Sequence, residues 1–349
     1  MRINMKKQFK DKTVLVTGGT GSIGSEIVRQ LLHNEARQVR VYSRDETKQF
    51  DLAHKLRGDP RIRFLIGDIR DKERLRMAME YADIVFHAAA LKHVVSCELN
   101  PFEAVKTNVG GTQNVIECAL ANDIEKVVSV STDKAADPTN VMGCTKLLAE
   151  RLVLSTYFYI GRKQTKFCSV RFGNVLGSRG SVVPHFIRQI REGGPVTVTD
   201  PLMTRFFMSI SQAVELMFKA SHLMRGHEIF ILKMPVAMIG DLANSVIKVT
   251  REKLGIQNDI TVQIVGKRVG ERQHEKLLLR EEADQALERD DMFIIRPNVD
   301  YEVFHDFSQE NYPGASSAEL SEYSSQNKTP MSKKQIREMV LSVWDSDWT

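Results

Sequence analysis

The chain has 349 residues, of which 42% are hydrophobic and 27% are charged, and its formal net charge is +5. This length exceeds that of one ordinary hydrophobic core, so we expect a large domain together with a smaller one. Because the basic residues are scattered along the chain, the composition argues against a nucleic-acid-binding protein and is compatible with an anionic small substrate.

The cysteines argue against a metal centre. Cys97, Cys118, Cys144 and Cys168 lie far apart and form no CxxC pair, which indicates reduced thiols in a cytoplasmic protein. No apolar run approaches the roughly 18 residues needed to cross a bilayer. The polar, basic segment 1–12 also lacks the apolar core of a secretory signal, so we expect no membrane insertion.

Short apolar runs alternate with amphipathic stretches in the first half of the chain. The predicted strands, rich in Val and Ile, are 13–17, 39–43, 62–67, 83–88, 126–131 and 167–172. The predicted helices between them include 25–32, 72–80 and 104–121. Continuously apolar strands are typical of a sheet that is buried on both faces. The alternation therefore predicts an α/β fold with a Rossmann-type, doubly wound parallel sheet.

The alternation weakens after about Asn174. A helix at 211–224 and a strand at 228–233 are expected to return to the sheet, and a final helix is expected at 332–343. The polar, Ser-rich segment 311–330 is typical of an exposed loop.

The same patterns predict two domains. Residues 1–176 would form a dinucleotide-binding domain, with its sheet completed by about 206–234. Residues 177–205 and 235–349 would form a smaller, mixed substrate-binding domain and a C-terminal tail.

A glycine-rich segment, Thr-Gly-Gly-Thr-Gly-Ser-Ile-Gly at 17–24, follows the first predicted strand and opens a helix. Gly19, Gly21 and Gly24 satisfy GxGxxG, while Gly18 with the latter two satisfies GxxGxxG. Glycines permit a tight turn and close approach of a pyrophosphate, which the helix N-terminus then binds. The predicted dinucleotide contacts of this loop are Gly18, Thr20, Gly21, Ser22 and Ile23.

The end of the second predicted strand bears on the choice of cofactor. An acid here favours NAD by accepting a hydrogen bond from the ribose, and Asp45 is available. Ser43 and Arg44 come first, however, and suit the 2′-phosphate of NADP, so we predict NADP over NAD. Asp68 suits the adenine amine. Further cofactor contacts are assigned to Ile69, Ala88, Ala89, Ala90, Lys92, Asn108 and Lys146.

The fifth predicted strand ends in Ser-Thr-Asp-Lys at 131–134, and the next helix contains Met142 and Lys146. Sheets of this kind place their chemistry at the carboxyl ends of the strands. Positions 142 and 146 are four apart, so their side chains share one helix face. The candidate catalytic residues are Thr132, Asp133, Lys134, Met142 and Lys146.

These motifs resemble the extended short-chain dehydrogenase/reductase family. The resemblance is most specific to bacterial UDP-N-acetylglucosamine 4,6-dehydratases of the inverting, capsular or surface-polysaccharide type, and it covers about residues 11–280. The segments that carry it are 88–93, 132–134, 171–175, 178–184 and 199–206.

One position departs from the family pattern. The family carries YxxxK on the helix after the fifth strand, whereas this chain has Met142 in the Tyr position and Lys146 in the Lys position. A thioether has no titratable proton, so the usual acid/base group is missing. Some members of the dehydratase subgroup also carry MxxxK.

The resemblance implies dehydration across carbons 4 to 6 of the sugar, with a tightly bound and recycled cofactor. Lys134 would be the base at carbon 5, which requires that its pKa be lowered. Asp133 would be the acid at carbon 6, and Thr132 would hold the 4-hydroxyl. Two routes remain open for removal of the proton from that hydroxyl: Asp133 through water, or Lys146 through the ribose.

The resemblance also implies a UDP-sugar site and a homo-oligomer, expected to be a hexamer. Arg205 and Arg268 are candidate diphosphate ligands because a guanidinium matches phosphate geometry. The other predicted substrate contacts are Lys92, Asn174, Val182 and Glu271.

Two other functions remain open from the sequence. A nucleotide-sugar epimerase or simple dehydrogenase would rely on the missing Tyr, so Met142 argues against both. A non-catalytic NADP sensor has no use for Asp133, Lys134 and Lys146, so their presence argues against it. The stereochemistry at carbon 5 is left undetermined.

Overall fold

The computed structural model of the chain describes residues 5–268, 270–297 and 307–344. Its strands are β1 (Thr13–Thr17), β2 (Gln38–Ser43), β3 (Ile62–Ile66), β4 (Ile84–His87), β5 (Lys126–Val130), β6 (Lys166–Arg171), β7 (Asn174–Val175), β8 (Val196–Val198), β9 (Thr204–Met208), β10 (Glu228–Leu232), β11 (Val236–Met238), β12 (Val262–Ile264), β13 (Lys276–Leu278), β14 (Ala286–Glu288), β15 (Met292–Ile295), β16 (Ser316–Ser317) and β17 (Tyr323–Ser324).

The helices alternate with these strands over the first half of the chain. They are α1 (Met5–Phe9), α2 (Ser22–His33), α3 (Glu46–Lys55), α4 (Lys72–Met79), α5 (Val94–Leu99), α6 (Pro101–Ala104), α7 (Gly111–Ala121), α8 (Val141–Leu154), α9 (Val182–Arg191), α10 (Ile210–Leu223), α11 (Ile239–Leu254), α12 (Arg280–Ala283) and α13 (Lys333–Ser342). A π-helical segment, Val105–Gly110, joins α6 to α7. No helix among the described residues combines the length and apolar composition needed to cross a membrane.

One ten-stranded sheet organises the fold. Its strand order is β16-β14-β15-β10-β6-β5-β4-β1-β2-β3, and the seven strands from β10 to β3 are parallel. The order reverses between β1 and β4, which is where doubly wound sheets bind ligands, outside the carboxyl ends of the strands. The predicted α/β, Rossmann-type fold is therefore confirmed.

The sheet is covered on both faces because its central strands are apolar on both. In β1, Val14 and Val16 belong to one core, which includes residues of α2 and α10. Leu15, between them, belongs to the core on the opposite face, with residues of α4 and α7. Side chains that alternate in direction along a strand explain how one short strand supports two layers.

A third core lies beside the sheet. It is formed by the apolar faces of α9, α11 and α13 together with β8. The small sheet β11-β9-β7 and the pair β12-β8 accompany it.

Three predictions about the second half of the chain need correction. Residues 206–208 belong to β9, which pairs with β7 and β11 instead of the main sheet. The main sheet instead gains β14, β15 and β16 from the predicted substrate domain: β15 pairs antiparallel with β10, β14 with β15, and β16 with β14. Segment 311–330 is more than an exposed loop, since Tyr323 and Ser325 are buried. The division into two domains stays a prediction.

The predicted helix 104–121 is also interrupted. Its first turns are the π-helical segment, and only Gly111–Ala121 is regular α-helix. Such π segments are frequent at functional sites.

Candidate active site

A cleft of about 720 Å³ opens at the carboxyl ends of the parallel strands. This volume is in the range of sites for cofactors and small molecules. The predicted site residues that line it are Gly18, Thr20, Gly21, Ser22, Ile23, Ser43, Arg44, Asp68, Ile69, Ala88, Ala89, Ala90, Lys92, Thr132, Lys134, Met142, Lys146, Asn174 and Val182. Those outside the lining are Asn108, Asp133, Arg205, Arg268 and Glu271.

The glycine loop packs closely against the segment after β4 and leads into α2. Gly18 has φ +66°, and a Cβ at this position would lie 2.8 Å from the Cα of Ala89, so only glycine fits. Gly21 is the N-cap residue of α2, and it provides no side-chain hydrogen bond to the helix. The first turn also has no acidic residue. Its unpaired N–H groups and the helix dipole therefore suit a pyrophosphate.

A segment between β7 and α9, residues 178–181, crosses the glycine loop. The backbone N–H of Arg179 donates to Ser22 Oγ over 3.0 Å, and its guanidinium donates to the carbonyl of Thr20. From the other side, Lys92 Nζ donates to the carbonyl of Arg179 over 2.8 Å. Arg179 lines the cleft and is not among the predicted site residues, although it lies in a segment that carries the resemblance.

At the end of β2, Asp45 is engaged within the protein. Asp45 caps α3: its Oδ1 accepts from the backbone N–H of Lys48 over 3.0 Å, and its Oδ2 accepts from Lys48 Nζ over 2.5 Å. Arg44 is half exposed and lies 3.5 Å from Asp68, and Lys48, which is paired with Asp45, also lines the cleft. The carboxylate of Asp68 accepts from the Arg70 guanidinium over 2.7 Å.

Four charged side chains form a cluster beside the cleft. We call Asp133, Lys134, Arg205 and Glu275 the charge cluster. Lys134 Nζ lies 3.0 Å from Asp133 Oδ1 and 3.6 Å from Glu275 Oε1. Arg205 Nε lies 3.5 Å from Glu275 Oε1. Asp133 and Glu275 are 1% and 4% exposed, so two nearly dry carboxylates face the two cations.

The protonation of Lys134 differs from the sequence-based hypothesis. Burial opposes the charged ammonium, but the carboxylates of Asp133 and then Glu275 outweigh burial and raise the pKa of Lys134. The expected lowering of the pKa of Lys134 is therefore absent here. Burial, followed by the charge of Asp133, raises the pKa of Glu275 in spite of Lys134 and Arg205.

The next helix supplies Met142 and Lys146. Burial lowers the pKa of Lys146 to about 8, and the charge of Glu150 only partly offsets this effect. Lys146 Nζ donates to the carbonyl of Val130 over 2.5 Å, at the end of β5. Met142 is buried in a small apolar group with Cys97 and lines the cleft.

A buried network of ion pairs is attached to α8 through Glu150. Arg171 is fully buried and donates to both carboxylate oxygens of Glu150 and of Glu282, at 2.5 to 2.9 Å. Ser131 Oγ donates to Glu150 Oε2 over 2.7 Å, which connects the network to the end of β5. The two carboxylates raise the pKa of Arg171 despite its burial, so the guanidinium stays charged. No local pattern in the sequence predicts this network because its members lie on three elements.

Asn108 forms hydrogen bonds within the protein and does not line the cleft. Its Oδ1 accepts from the backbone N–H of Leu91 over 2.8 Å, and its Nδ2 donates to the Leu91 carbonyl and to Thr145 Oγ1, both over 3.0 Å. It therefore joins the segment after β4 to α8.

Arg205 is also engaged within the protein. Its guanidinium donates to the carbonyls of Thr204, Gln273 and Arg272 at 2.7 to 3.1 Å. Glu271 accepts from Thr199 Oγ1 and from the backbone N–H of Arg268. Their predicted roles as substrate ligands stay predictions.

Residues 14–297 match the model of a family described as polysaccharide biosynthesis protein. The chain belongs to this family. A Methanocaldococcus jannaschii protein named as an uncharacterised membrane protein is 56% identical, over 83% of this chain and 87% of the relative. A Campylobacter jejuni UDP-N-acetylglucosamine 4,6-dehydratase (inverting) is 41% identical over 86% and 87%. A Rickettsia canadensis protein named UDP-glucose 4-epimerase is 37% identical over 96% and 97%.

Solved structures agree with the fold of extended short-chain dehydrogenases/reductases. Pen from Bacillus thuringiensis is 45% identical with a TM-score of 0.88, covering 96% of this chain and 98% of that chain. A Streptomyces venezuelae dTDP-glucose 4,6-dehydratase, solved with NAD and TYD bound, is 25% identical with a TM-score of 0.66. The latter match covers 74% of this chain and 86% of that chain.

Proposed function

We propose that the protein is a UDP-N-acetylglucosamine 4,6-dehydratase that inverts carbon 5, with NADP tightly bound and recycled. The observation that carries this proposal is the Asp133–Lys134 pair at the end of β5, beside the cleft that Met142 and Lys146 also line. The relative from Campylobacter jejuni that carries this name supports the choice of substrate and of inversion.

The cleft residues fit NADP. The glycine loop and the uncapped start of α2 would hold its pyrophosphate, and Arg44 with Lys48 would hold a 2′-phosphate. When bound, NADP supplies the oxidation at carbon 4 and the hydride at carbon 6. Lys146 would contact the nicotinamide ribose, and with its pKa of about 8 it can accept a proton relayed from the 4-hydroxyl.

The ion pair provides the acid and the base for elimination. Transfer of one proton from the Lys134 ammonium to Asp133 leaves a neutral amine and a carboxylic acid. The amine then takes the proton from carbon 5, whose bonding electrons form the double bond to carbon 6. The acid protonates the departing 6-hydroxyl, which leaves as water. This step restores the ion pair seen in the structure. The hydride gained at carbon 6 is balanced by a solvent-derived proton at carbon 5, and inversion requires that this proton add on the face opposite Lys134.

Asp133 has an oxygen suited to proton delivery. Its Oδ1 accepts from Thr132 Oγ1 and from Lys134 Nζ, whereas its buried Oδ2 has no hydrogen-bond partner among the described residues. Oδ2 is therefore the oxygen available to carry the proton that the leaving 6-hydroxyl takes up.

Proton NMR of the purified protein with UDP-N-acetylglucosamine in deuterated water, without added cofactor, tests the proposal. We expect loss of one water with deuterium at carbon 5, and product couplings that report inversion. Substrate that is unchanged even after NADP is supplied would overturn the assignment. Several relatives are named UDP-glucose 4-epimerase, so UDP-glucose is the second substrate to test. Its conversion to UDP-galactose would establish an epimerase instead.

A further inference from the structure

Glu275 is a buried carboxylate that the catalytic scheme above does not use. It precedes β13 in the second half of the chain, and its backbone is fixed to the segment after β17. The N–H of Glu275 donates to Ser325 Oγ, and the N–H of Ser325 donates to the carbonyl of Glu275, both over 2.9 Å. The backbone of Glu275 is therefore held at two points, and its side chain is buried.

The Glu275 carboxylate comes to Lys134 from a distant part of the chain, whereas Asp133 is the neighbour of Lys134 in sequence. The Lys134 amine thus has one carboxylate at 3.0 Å from its own strand end and a second at 3.6 Å from the distant segment. We propose that Glu275 is a positioning residue, which holds the Lys134 amine beside the cleft and sets the pH above which that amine accepts a proton. The proposal rests on the base role of Lys134 in the proposed function.

The charge balance of the cluster gives the physical reason. The charged groups that act on Lys134 are Asp133, Glu275 and Arg205, and Arg272 acts on Glu275 as well. With Lys134 protonated, the two carboxylates of the charge cluster are matched by two cations. Loss of that proton leaves an excess negative charge in a nearly dry site, which is unfavourable. A neutral residue at position 275 would remove this penalty.

The test isolates proton transfer at carbon 5. The keto product made by the wild-type enzyme is returned to each variant in deuterated water, and exchange at carbon 5 is followed by NMR over a range of pH, with an enzyme-free blank. Exchange at carbon 5 needs only the neutral Lys134 amine and no acid, so the amine that has lost its proton to solvent is also active. The exchange rate therefore rises with pH. In Glu275→Gln we expect the rising limb of the curve of exchange rate against pH to move to lower pH by about one to three units.

Two further variants decide between charge and structure. Glu275→Asp keeps the negative charge but places the carboxylate farther from Lys134. The rising limb of its pH profile should therefore lie between those of the wild type and Glu275→Gln. This variant also provides the answer if Glu275→Gln does not fold. Glu322→Gln is the matched control, because Glu322 pairs with Lys276 at 2.9 Å, next to Glu275 in sequence, and its limb should equal that of the wild type.

Failure of the proposed function and failure of the proposed role of Glu275 give different results. A wild-type enzyme that makes no keto product overturns the proposed function. A wild-type enzyme that makes the product and exchanges carbon 5, together with Glu275 variants whose limb stays in place, overturns the role of Glu275 alone. Loss of activity in the variants without a shift of the limb would show a purely structural side chain.

Discussion

The glycine loop and the charge cluster occupy the same edge of the sheet, yet they are assembled in different ways. The loop is one continuous segment, in which backbone geometry would form the proposed anion site. The charge cluster combines Asp133 and Lys134 with Arg205 and Glu275, which come from distant parts of the chain. A site made of backbone is fixed by local conformation, whereas a site made of opposed charges depends on the whole fold.

The largest effect is expected at the cluster. Asp133→Asn should lower kcat by about 10²–10⁴-fold, because the amide cannot protonate the leaving hydroxyl. Bound NADP, measured by absorbance after denaturation, should stay at the wild-type level. Asp123→Asn, at an exposed partner of Lys163, is the control and should keep full activity. A fully active Asp133→Asn enzyme would contradict the cluster's role in catalysis.

The network behind the cluster should matter for stability. Arg171→Leu leaves Glu150 and Glu282 buried without their cation, so the free energy of unfolding in urea should fall by about 3–5 kcal/mol. Arg151 provides the comparison, since it is largely exposed and 4.0 Å from Glu282. Arg151→Leu should change stability by no more than about 0.5 kcal/mol. Equal effects of the two substitutions would refute the importance of the buried network.

The glycine loop should be sensitive to a single methyl group. Gly18→Ala introduces a Cβ against Ala89 at a positive φ, so the loop must move and NADP affinity should fall by about tenfold or more. Gly58 has φ +63°, but a Cβ there would meet no atom within 4 Å, so Gly58→Ala carries the backbone strain alone. Calorimetric titration of cofactor-free protein with NADP should find only Gly18→Ala impaired.

The smallest effect is expected at the adenosine end. Arg44→Ser removes one of two cations near the predicted 2′-phosphate, so the Kd for NADP should rise by about fivefold to tenfold. The Kd for NAD, which lacks that phosphate, serves as the internal control and should hardly change. Equal losses for both dinucleotides would mean that Arg44 does not read the phosphate.

Local sequence patterns predict the parallel half of the fold well. The predicted strand 13–17 has the bounds of β1, and the other five early strands differ from the structure by only one residue at one or both ends. Buried parallel strands are continuous apolar runs, so their signal is local. Strands β14, β15 and β16 are not predicted, because short antiparallel strands at the end of a sheet have a weak local pattern and are stabilised by their neighbours.

The sequence by itself determined the parallel sheet, the glycine loop and the Asp133–Lys134 pair at a strand end, because each depends on residues that are close along the chain. Only the tertiary structure decided that Arg205 is engaged internally and that Glu275 faces Lys134. Long-range electrostatic contacts leave no periodic trace in a sequence. They exist only where folding brings distant side chains into a site with little water.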